Sequence, residues 1–356
     1  MTLEDKPAIF RVQFNGLGRN FTRMCGDIAA WHELVEAATE FRFKSSNGDV
    51  VVSIDWMDTK DFIAKSDYYS FDSDRIKTKE DFDAFLVRFE EYRRLKSVGT
   101  IKDNLEIEFC IYNSSDEFRN FEYVTNLLHQ LFLIMNLSVP GSCDFYSVII
   151  RPFEAEHDTS SREVRLKLSG GVIESSTQLI DKMNWPEIHT IPVRNVMQWL
   201  EKIGFSRSSF AHSNTERAIF GLLYSCMHEK LDPTTLIWLA QAMEALFNTP
   251  QVGIANTLKE RAFLVLGEPH ENLNKVKKDI NAFYNYRSRY VHGEIFLPNP
   301  IAISLVDDEA LDKFYYELYQ HLDLAMILIV ASLQKLIVED SSGFDFSETM
   351  SMQEFV

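Results

Sequence analysis

The residues best suited to chemistry lie at the end of one helical segment, residues 284–293, which read YNYRSRYVHG. Apolar side chains recur at three- and four-residue spacing from residue 273 to residue 290, and Arg287 falls on that apolar stripe. A guanidinium on a buried face is costly unless it is paired. The chain should therefore supply Arg287 with a carboxylate or with an anionic ligand.

Two further charges interrupt the apolar stripes of the preceding helical segments. Glu244 follows Ala240 on one stripe, and Arg261 follows Leu258 on the next. One carboxylate and two arginines that face a common interior leave a surplus of positive charge, which is typical of a phosphate site. This pattern predicts an anion-binding pocket.

His292 is the second candidate in the segment, and its relation to Arg287 depends on where the helix ends. Five residues separate the two, which places them about 140° apart round a continuous helix. Gly293 favours an end at this point, since glycine is suited to the left-handed turn that follows a helix. With the helix ended there, His292 can return to Arg287, or it can meet an arginine of a second copy of the chain.

The elements that must position these residues are helices joined by short links. From about residue 213 the sequence predicts five helices, the first opened by Ser213 or Asn214 and the second by Asp232 with Pro233. Glycines suited to a helix end follow the third and the fourth. This arrangement predicts an antiparallel bundle. The expected ranges are 215–230, 236–247, 253–266, 271–291 and 307–338.

The chain before this bundle mixes strand and helix patterns. Segments rich in β-branched and aromatic residues predict strands at 49–56, 105–112, 144–151 and 162–168, and apolar residues at helical spacing predict helices at 78–95 and 118–137. The sequence thus predicts an α+β domain at residues 1–205, an all-α helical domain at 206–340 and an acidic disordered tail at 341–356. The boundary between the domains falls in the polar stretch FSRSSFAHSN, residues 205–214.

Length and composition favour two globular units, because 356 residues with 46% hydrophobic content can fill two cores. The spacing of the four cysteines favours a reducing compartment. Cys25, Cys110, Cys143 and Cys226 form no C-x-x-C pair, which argues against a disulfide framework and a zinc site. The start carries no basic-then-apolar signal, and the most apolar segment, 322–338, is interrupted by charges. We therefore expect a cytoplasmic protein without a membrane span. The absence of nucleotide-binding and metallopeptidase motifs predicts no cofactor and no metal.

The charge distribution is uneven. The net charge of −17 argues against a nucleic-acid partner, because phosphate binding normally rests on a basic surface. Residues 255–293 nevertheless contain seven Lys or Arg against four acidic residues. The candidate site is therefore locally basic within an acidic protein.

Three stretches together resemble a known family. They are QAMEALF at 241–247, LKERA at 258–262 and YRSRYVHG at 286–293. Their order and spacing resemble the HEPN superfamily and, within it, the ApeA-like HEPN branch. The resemblance covers residues 213–338, and the combination of stretches is more specific than the Arg-x4-His element alone.

The resemblance implies a metal-independent endoribonuclease, often a homodimer, in which an arginine and a histidine from two protomers form a composite cleft. In that reading His292 is the general acid or base and Arg287 stabilises the phosphoryl oxygens, with RNA as substrate. Glu244 and Arg261 hold Arg287 in place. Tyr286, Ser288 and Arg289 complete the motif, and Arg289 is an alternative to Arg287. Ser288 replaces the polar Asn, Asp or His that follows the arginine in many HEPN nucleases.

Two other functions remain open at this point. In the first, Arg287 belongs to a buried ion pair and His292 caps the helix. The bundle then serves only to bind a partner or to dimerise. The chain can also be a toxin that an antitoxin neutralises. Family members often act in toxin–antitoxin or anti-phage defence, so an antitoxin or a phage trigger is a possible partner. We expect the region 1–205 to sense that trigger or to select the RNA.

Overall fold

The computed structural model describes residues 6–14, 24–45, 48–57, 59–69, 77–98, 105–153, 163–205, 209–227, 232–299 and 309–347. These residues form one six-stranded antiparallel sheet and eleven helices, which confirms the mixed α+β class. The strands are β1 (Ala8–Phe14), β2 (Glu40–Ser45), β3 (Gly48–Asp55), β4 (Leu105–Tyr112), β5 (Phe145–Pro152) and β6 (Val164–Leu168). The helices are α1 (Met24–Ala37), α2 (Thr59–Tyr69), α3 (Lys79–Ser97), α4 (Glu117–Ser138), α5 (Gly171–Met183), α6 (Val193–Lys202), α7 (Asn214–Cys226), α8 (Thr235–Leu246), α9 (Ile254–Leu266), α10 (Leu273–Val291) and α11 (Glu309–Val338).

The sheet has the strand order β2-β3-β4-β1-β5-β6. β1 pairs with both β4 and β5, so Phe10 lies opposite Phe109 on one side and Pro152 on the other. Alternate residues of β4 are buried, as expected for a strand with one face on the core. α4 packs on that core, where Phe121 meets Phe10 edge to face with 4.9 Å between ring centroids. The sheet and α4 therefore form the two main layers of the first half of the chain.

The change from mixed to helical structure comes at α5, because the described residues from Gly171 onward contain helices and no strand. This is earlier than the predicted boundary near residue 205. α5 packs on α11, where the Ser175 hydroxyl donates to the Asp323 carboxylate. α6 begins with its Val193 backbone N–H donating to Glu33 of α1 at 3.0 Å. The two helices thus tie the sheet region to the last helix of the chain.

The five helices predicted after residue 213 correspond to α7 through α11. Ser213 opens α7 in a capping box with Glu216. α8 begins at Thr235, two residues after the predicted first position at Pro233, and Asp232 accepts the Thr234 N–H at 2.7 Å in the turn that precedes the helix. The predicted end of the first helix at residue 230 and the predicted start of the fifth at residue 307 lie outside the described residues.

α11 is the central helix of the fold. It is long and apolar enough to cross a membrane, and its most apolar stretch of 18 residues has a mean hydropathy of 1.8. However, 78% of that stretch is buried inside the protein. Gln334 is fully buried in it and donates to the carbonyls of Leu137 and His189 at 2.9 and 2.8 Å. Its Oε1 accepts the His189 N–H at 2.9 Å. The amide therefore joins α11 to the end of α4 and to the segment before α6.

The expectation of disorder beyond residue 340 does not hold for residues 341–347. Trp199 donates its indole N–H to the Ser341 carbonyl at 2.7 Å, and Thr215 donates its hydroxyl to the Ser342 carbonyl at 2.7 Å. The Phe346 ring lies 4.7 Å from the Arg261 guanidinium. These residues are held by their backbone carbonyls and by an aromatic ring. The prediction of disorder rested on the acidic composition of the segment, which does not reveal such contacts. Residues 348–356 lie outside the described residues.

Candidate active site

The end of α10 is fixed by its own backbone. Gly293 adopts a φ of 72°, its N–H donates to Tyr290 O at 3.1 Å, and the Glu294 N–H donates to Arg289 O at 2.8 Å. These two bonds form a Schellman motif, in which glycine tolerates the left-handed conformation and the last carbonyls of the helix find donors. The predicted helix end at Gly293 is confirmed. His292 is the C-cap residue, and its side chain is exposed.

Arg287 lies on the inner face of α10, as its place on the apolar stripe predicts. Ile280 and Phe283 of the same face are almost fully buried. The Arg287 Nε atom is itself buried, although the residue as a whole is only partly buried. The guanidinium thus begins inside the protein and extends towards its surface, which suits a group that must reach a ligand.

Glu244 of α8 and Tyr284 of α10 share the environment of Arg287, and we call the three residues the arginine cluster. Burial raises the pKa of Glu244, and the positive charge of Arg287 opposes that rise. Burial also raises the pKa of Tyr284, where Glu244 adds to the effect and Arg287 opposes it. These interactions place a carboxylate, a phenol and a guanidinium close together between α8 and α10.

The polar atoms of the arginine cluster are poorly paired. Glu244 Oε1, Tyr284 Oη and Arg287 Nε are buried and have no hydrogen-bond partner among the described residues. An unsatisfied buried polar group costs about 1–3 kcal/mol. Tyr284 is the most telling of the three, because it is only 9% exposed. Three such atoms lie close together in the arginine cluster.

Arg261 of α9 is bonded to the end of the helix that carries Glu244. Its Nη1 donates to Phe247 O at 2.9 Å and to Asn248 O, both at the C-terminal end of α8. A cation there complements the negative end of the helix dipole. A common pocket of Glu244, Arg261 and Arg287 with a surplus of positive charge stays a prediction.

His292 and Arg287 are not joined to each other by a hydrogen bond or an ion pair within the described part of the chain. The His292 N–H continues the helix by donating to Ser288 O at 3.0 Å. The side chains of Ser288 and Arg289 are exposed beside it. Among the possibilities that the sequence left open, a meeting of His292 with an arginine of a second copy remains compatible with this arrangement.

Tyr286 lies on another face of α10 and contacts a histidine that the sequence analysis did not consider. Its ring centroid is 4.7 Å from that of His321 on α11. Burial lowers the pKa of His321, and Glu317 and Asp279 oppose that effect. The i,i+4 spacing of Glu317 and His321 was the available signal, although such spacing is common on helices. Tyr286 therefore packs between helices and does not belong to the arginine cluster.

The comparisons with known proteins found no match to a family model, to a curated protein or to a solved structure.

Proposed function

We propose that the protein is a metal-independent endoribonuclease of the HEPN type, in which α7 to α11 form the helical nuclease domain. The observation that carries the proposal is the arginine cluster beside an exposed histidine at the same helix end. Arg287 extends from the core towards solvent, with its Nε unpartnered among the described residues. His292 is the C-cap residue, and its side chain is exposed. The remainder of the proposal rests on the resemblance of residues 213–338 to ApeA-like HEPN domains.

RNA cleavage suits these two groups. The ribose 2′-hydroxyl attacks the adjacent phosphorus and the 5′-oxygen leaves, so one proton must be removed and another supplied. An imidazole titrates near neutral pH and performs both transfers. A guanidinium binds the phosphoryl oxygens through charge-assisted hydrogen bonds as negative charge develops on them. His292 would therefore handle the protons and Arg287 the charge.

The active form is proposed to be a homodimer, because no hydrogen bond joins Arg287 to His292 of one chain among the described residues. Apolar side chains close to His292 in sequence support this, since Val291, Phe296 and Leu297 are 54%, 97% and 57% exposed. Exposed apolar groups of this kind are typical of interaction surfaces. A second copy would cover them and bring its own histidine or arginine to the cleft.

The test is cleavage of total RNA in the presence of EDTA by the wild type and by His292→Ala and Arg287→Ala. We expect each variant to lose at least about 100-fold in rate, the usual effect of removing a general acid–base group or a transition-state charge partner. His270→Ala and Arg217→Ala are matched controls, because both side chains are exposed elsewhere in the helical half. Circular dichroism shows that each variant is folded.

Arg289→Ala distinguishes the two arginines of the motif. Arg289 is exposed, whereas Arg287 is partly buried beside Glu244. We expect Arg289→Ala to retain most of the activity. A loss equal to that of Arg287→Ala would transfer the phosphate-binding role to Arg289 or divide it between the two.

The second candidate function is a non-catalytic HEPN module that dimerises or binds a partner. The exposed Phe296 and Leu297 and the net charge of −17 favour it. Absence of RNA cleavage by the folded wild type, together with a dimer that Phe296→Ser disrupts, would replace the first proposal by this one. A defence role, with an antitoxin or a phage component as partner, is proposed from the resemblance alone.

A further inference from the structure

A cavity of about 540 Å³ lies between α4 of the sheet region and α7 of the helical region. One wall is a single face of α4, which runs from Phe118 to His129. The opposite wall is a face of α7, with Phe220, Leu223 and Tyr224, and the cavity extends to Val164 of β6. We call this space the seam cavity. It is separate from the arginine cluster, since none of its lining residues belongs to that cluster.

The size and lining of the seam cavity suit a small molecule. Binding sites for small molecules usually measure about 300–1,000 Å³ and combine apolar or aromatic walls with a few polar groups. Here Phe121, Phe205 and Phe220 are buried or partly buried in the wall, and Phe205 meets Phe220 edge to face at 5.8 Å. Aromatic walls of this kind favour a flat ring that stacks on them.

His129 gives the seam cavity a directional polar group. Its Nδ1 lies 2.7 Å from the backbone carbonyl of Thr125, one turn earlier on α4. A carbonyl only accepts, so Nδ1 must carry the proton, and a neutral ring then leaves Nε2 as an acceptor. Burial lowers the pKa of His129, which keeps the ring neutral. No hydrogen bond within the described part of the chain uses Nε2, so a ligand would have to donate to it.

The charge of the lining limits the ligand further. Among the described residues that line the cavity, Glu122 is the one charged residue and none is Lys or Arg. A phosphate or a carboxylate would be repelled by the Glu122 carboxylate. A neutral or cationic molecule would not.

We propose that the seam cavity binds a flat heteroaromatic molecule, neutral or cationic, that stacks on its aromatic walls and donates an N–H to His129 Nε2. Such a ligand would contact α4 and α7 together. It would therefore stabilise the packing between the sheet region and the helical region, and binding should raise the melting temperature of the full chain.

Adenosine and tryptamine are the probes, the first neutral and the second cationic, and both carry N–H donors on flat rings. Binding is measured by isothermal titration calorimetry and by thermal unfolding of the full chain. Purine riboside lacks the amino group of adenosine, and AMP adds a phosphate. We expect at least one of the two probes to bind in the millimolar range or tighter, purine riboside to bind several-fold more weakly than adenosine, and AMP to bind more weakly than adenosine.

Two kinds of variant place the binding in the cavity. His129→Phe keeps an aromatic ring but removes the acceptor, so binding should weaken several-fold. Leu223→Trp fills the space and should abolish binding, and Met227→Trp does the same from a partly exposed position if Leu223→Trp does not fold. His270→Phe is the control at an exposed site. Binding of neither probe to the wild type, binding that survives both His129→Phe and cavity filling, or AMP binding as tightly as adenosine would overturn the proposal.

Discussion

Gln334 and the arginine cluster both bury polar atoms between helices, and they differ in how those atoms are paired. The Gln334 amide makes three hydrogen bonds of 2.8–2.9 Å within the chain. Glu244, Tyr284 and Arg287 each have a buried polar atom without a partner among the described residues. A satisfied buried network specifies one packing arrangement, whereas an unsatisfied one weakens the fold unless something else completes it. The comparison separates a group that serves stability from groups available for function.

The largest expected effect on stability is at Gln334, whose amide is fully paired. Gln334→Leu keeps the approximate volume but leaves the His189 N–H and the carbonyls of Leu137 and His189 without their partner. We expect the free energy of unfolding to fall by about 2–4 kcal/mol, because buried backbone groups lose their hydrogen bonds. Urea denaturation measures the change. Gln320→Leu, at an exposed position of the same helix, is the control, and an equal loss in both variants would contradict the role given to Gln334.

Asp323 is an intermediate case, with one hydrogen bond from Ser175 and partial burial. Burial raises its pKa from 3.8 to about 6, and the Ser175 hydroxyl and Lys182 oppose that rise. A raised pKa in the folded state means that folding favours the protonated acid. The stability that this provides is complete below pH 3.8 and is lost as the pH rises through about 6.

Asp323→Asn should therefore flatten the dependence of stability on pH. The wild type should lose about 1.4 kcal/mol more than the variant between pH 5 and pH 8, since about one pKa unit separates pH 5 from the folded pKa and one unit corresponds to about 1.4 kcal/mol. Urea denaturation at the two pH values gives the comparison. Asp312→Asn, at an exposed position near the start of α11, should leave the pH dependence of the wild type unchanged. Parallel profiles for the wild type and Asp323→Asn would show that Asp323 has an ordinary pKa.

The smallest effect on stability is expected at Tyr284 of the arginine cluster. Tyr284→Phe removes a buried hydroxyl that has no partner among the described residues, so the free energy of unfolding should change by less than about 0.5 kcal/mol or rise slightly. Tyr123→Phe, on α4 in the first half of the chain, is the control for a general effect of losing a phenol. A loss above about 1 kcal/mol in Tyr284→Phe would mean that the hydroxyl is paired in the folded chain, and the comparison with Gln334 would fail.

The parts of the fold that could be predicted are those with local signals. Ser213 with Glu216 opens α7, and Gly267 and Gly293 follow α9 and α10, because caps depend on neighbouring residues alone. β1 and β2 were not predicted individually. β1 pairs with β4, which is distant in the sequence, and β2 is held by pairing with the adjacent β3, so neither strand depends on its own residues alone.

The candidate site was predictable in the same partial way. The stripe on α10 places Arg287 on the inner face. The position of Glu244 on the stripe of α8 is consistent with its electrostatic interaction with Arg287. The contacts of Arg261 with the end of α8 could not be predicted, because helical periodicity gives the face of a side chain but not how far along the neighbouring helix its end reaches. The carbonyls of Phe247 and Asn248 that accept from it carry no signature in the sequence.

The position of α11 in the chain has a consequence for synthesis. This helix supplies the partner of α5 at Asp323 and of α4 at Gln334, yet it is made after both of them and after α10. A ribosome delivers residues in order, and nascent chains fold as their contacts become available. Neither the sheet region nor the helix that carries Arg287 can reach its final packing until α11 has emerged from the ribosome. The arginine cluster therefore forms only after α11 has left the ribosomal exit tunnel.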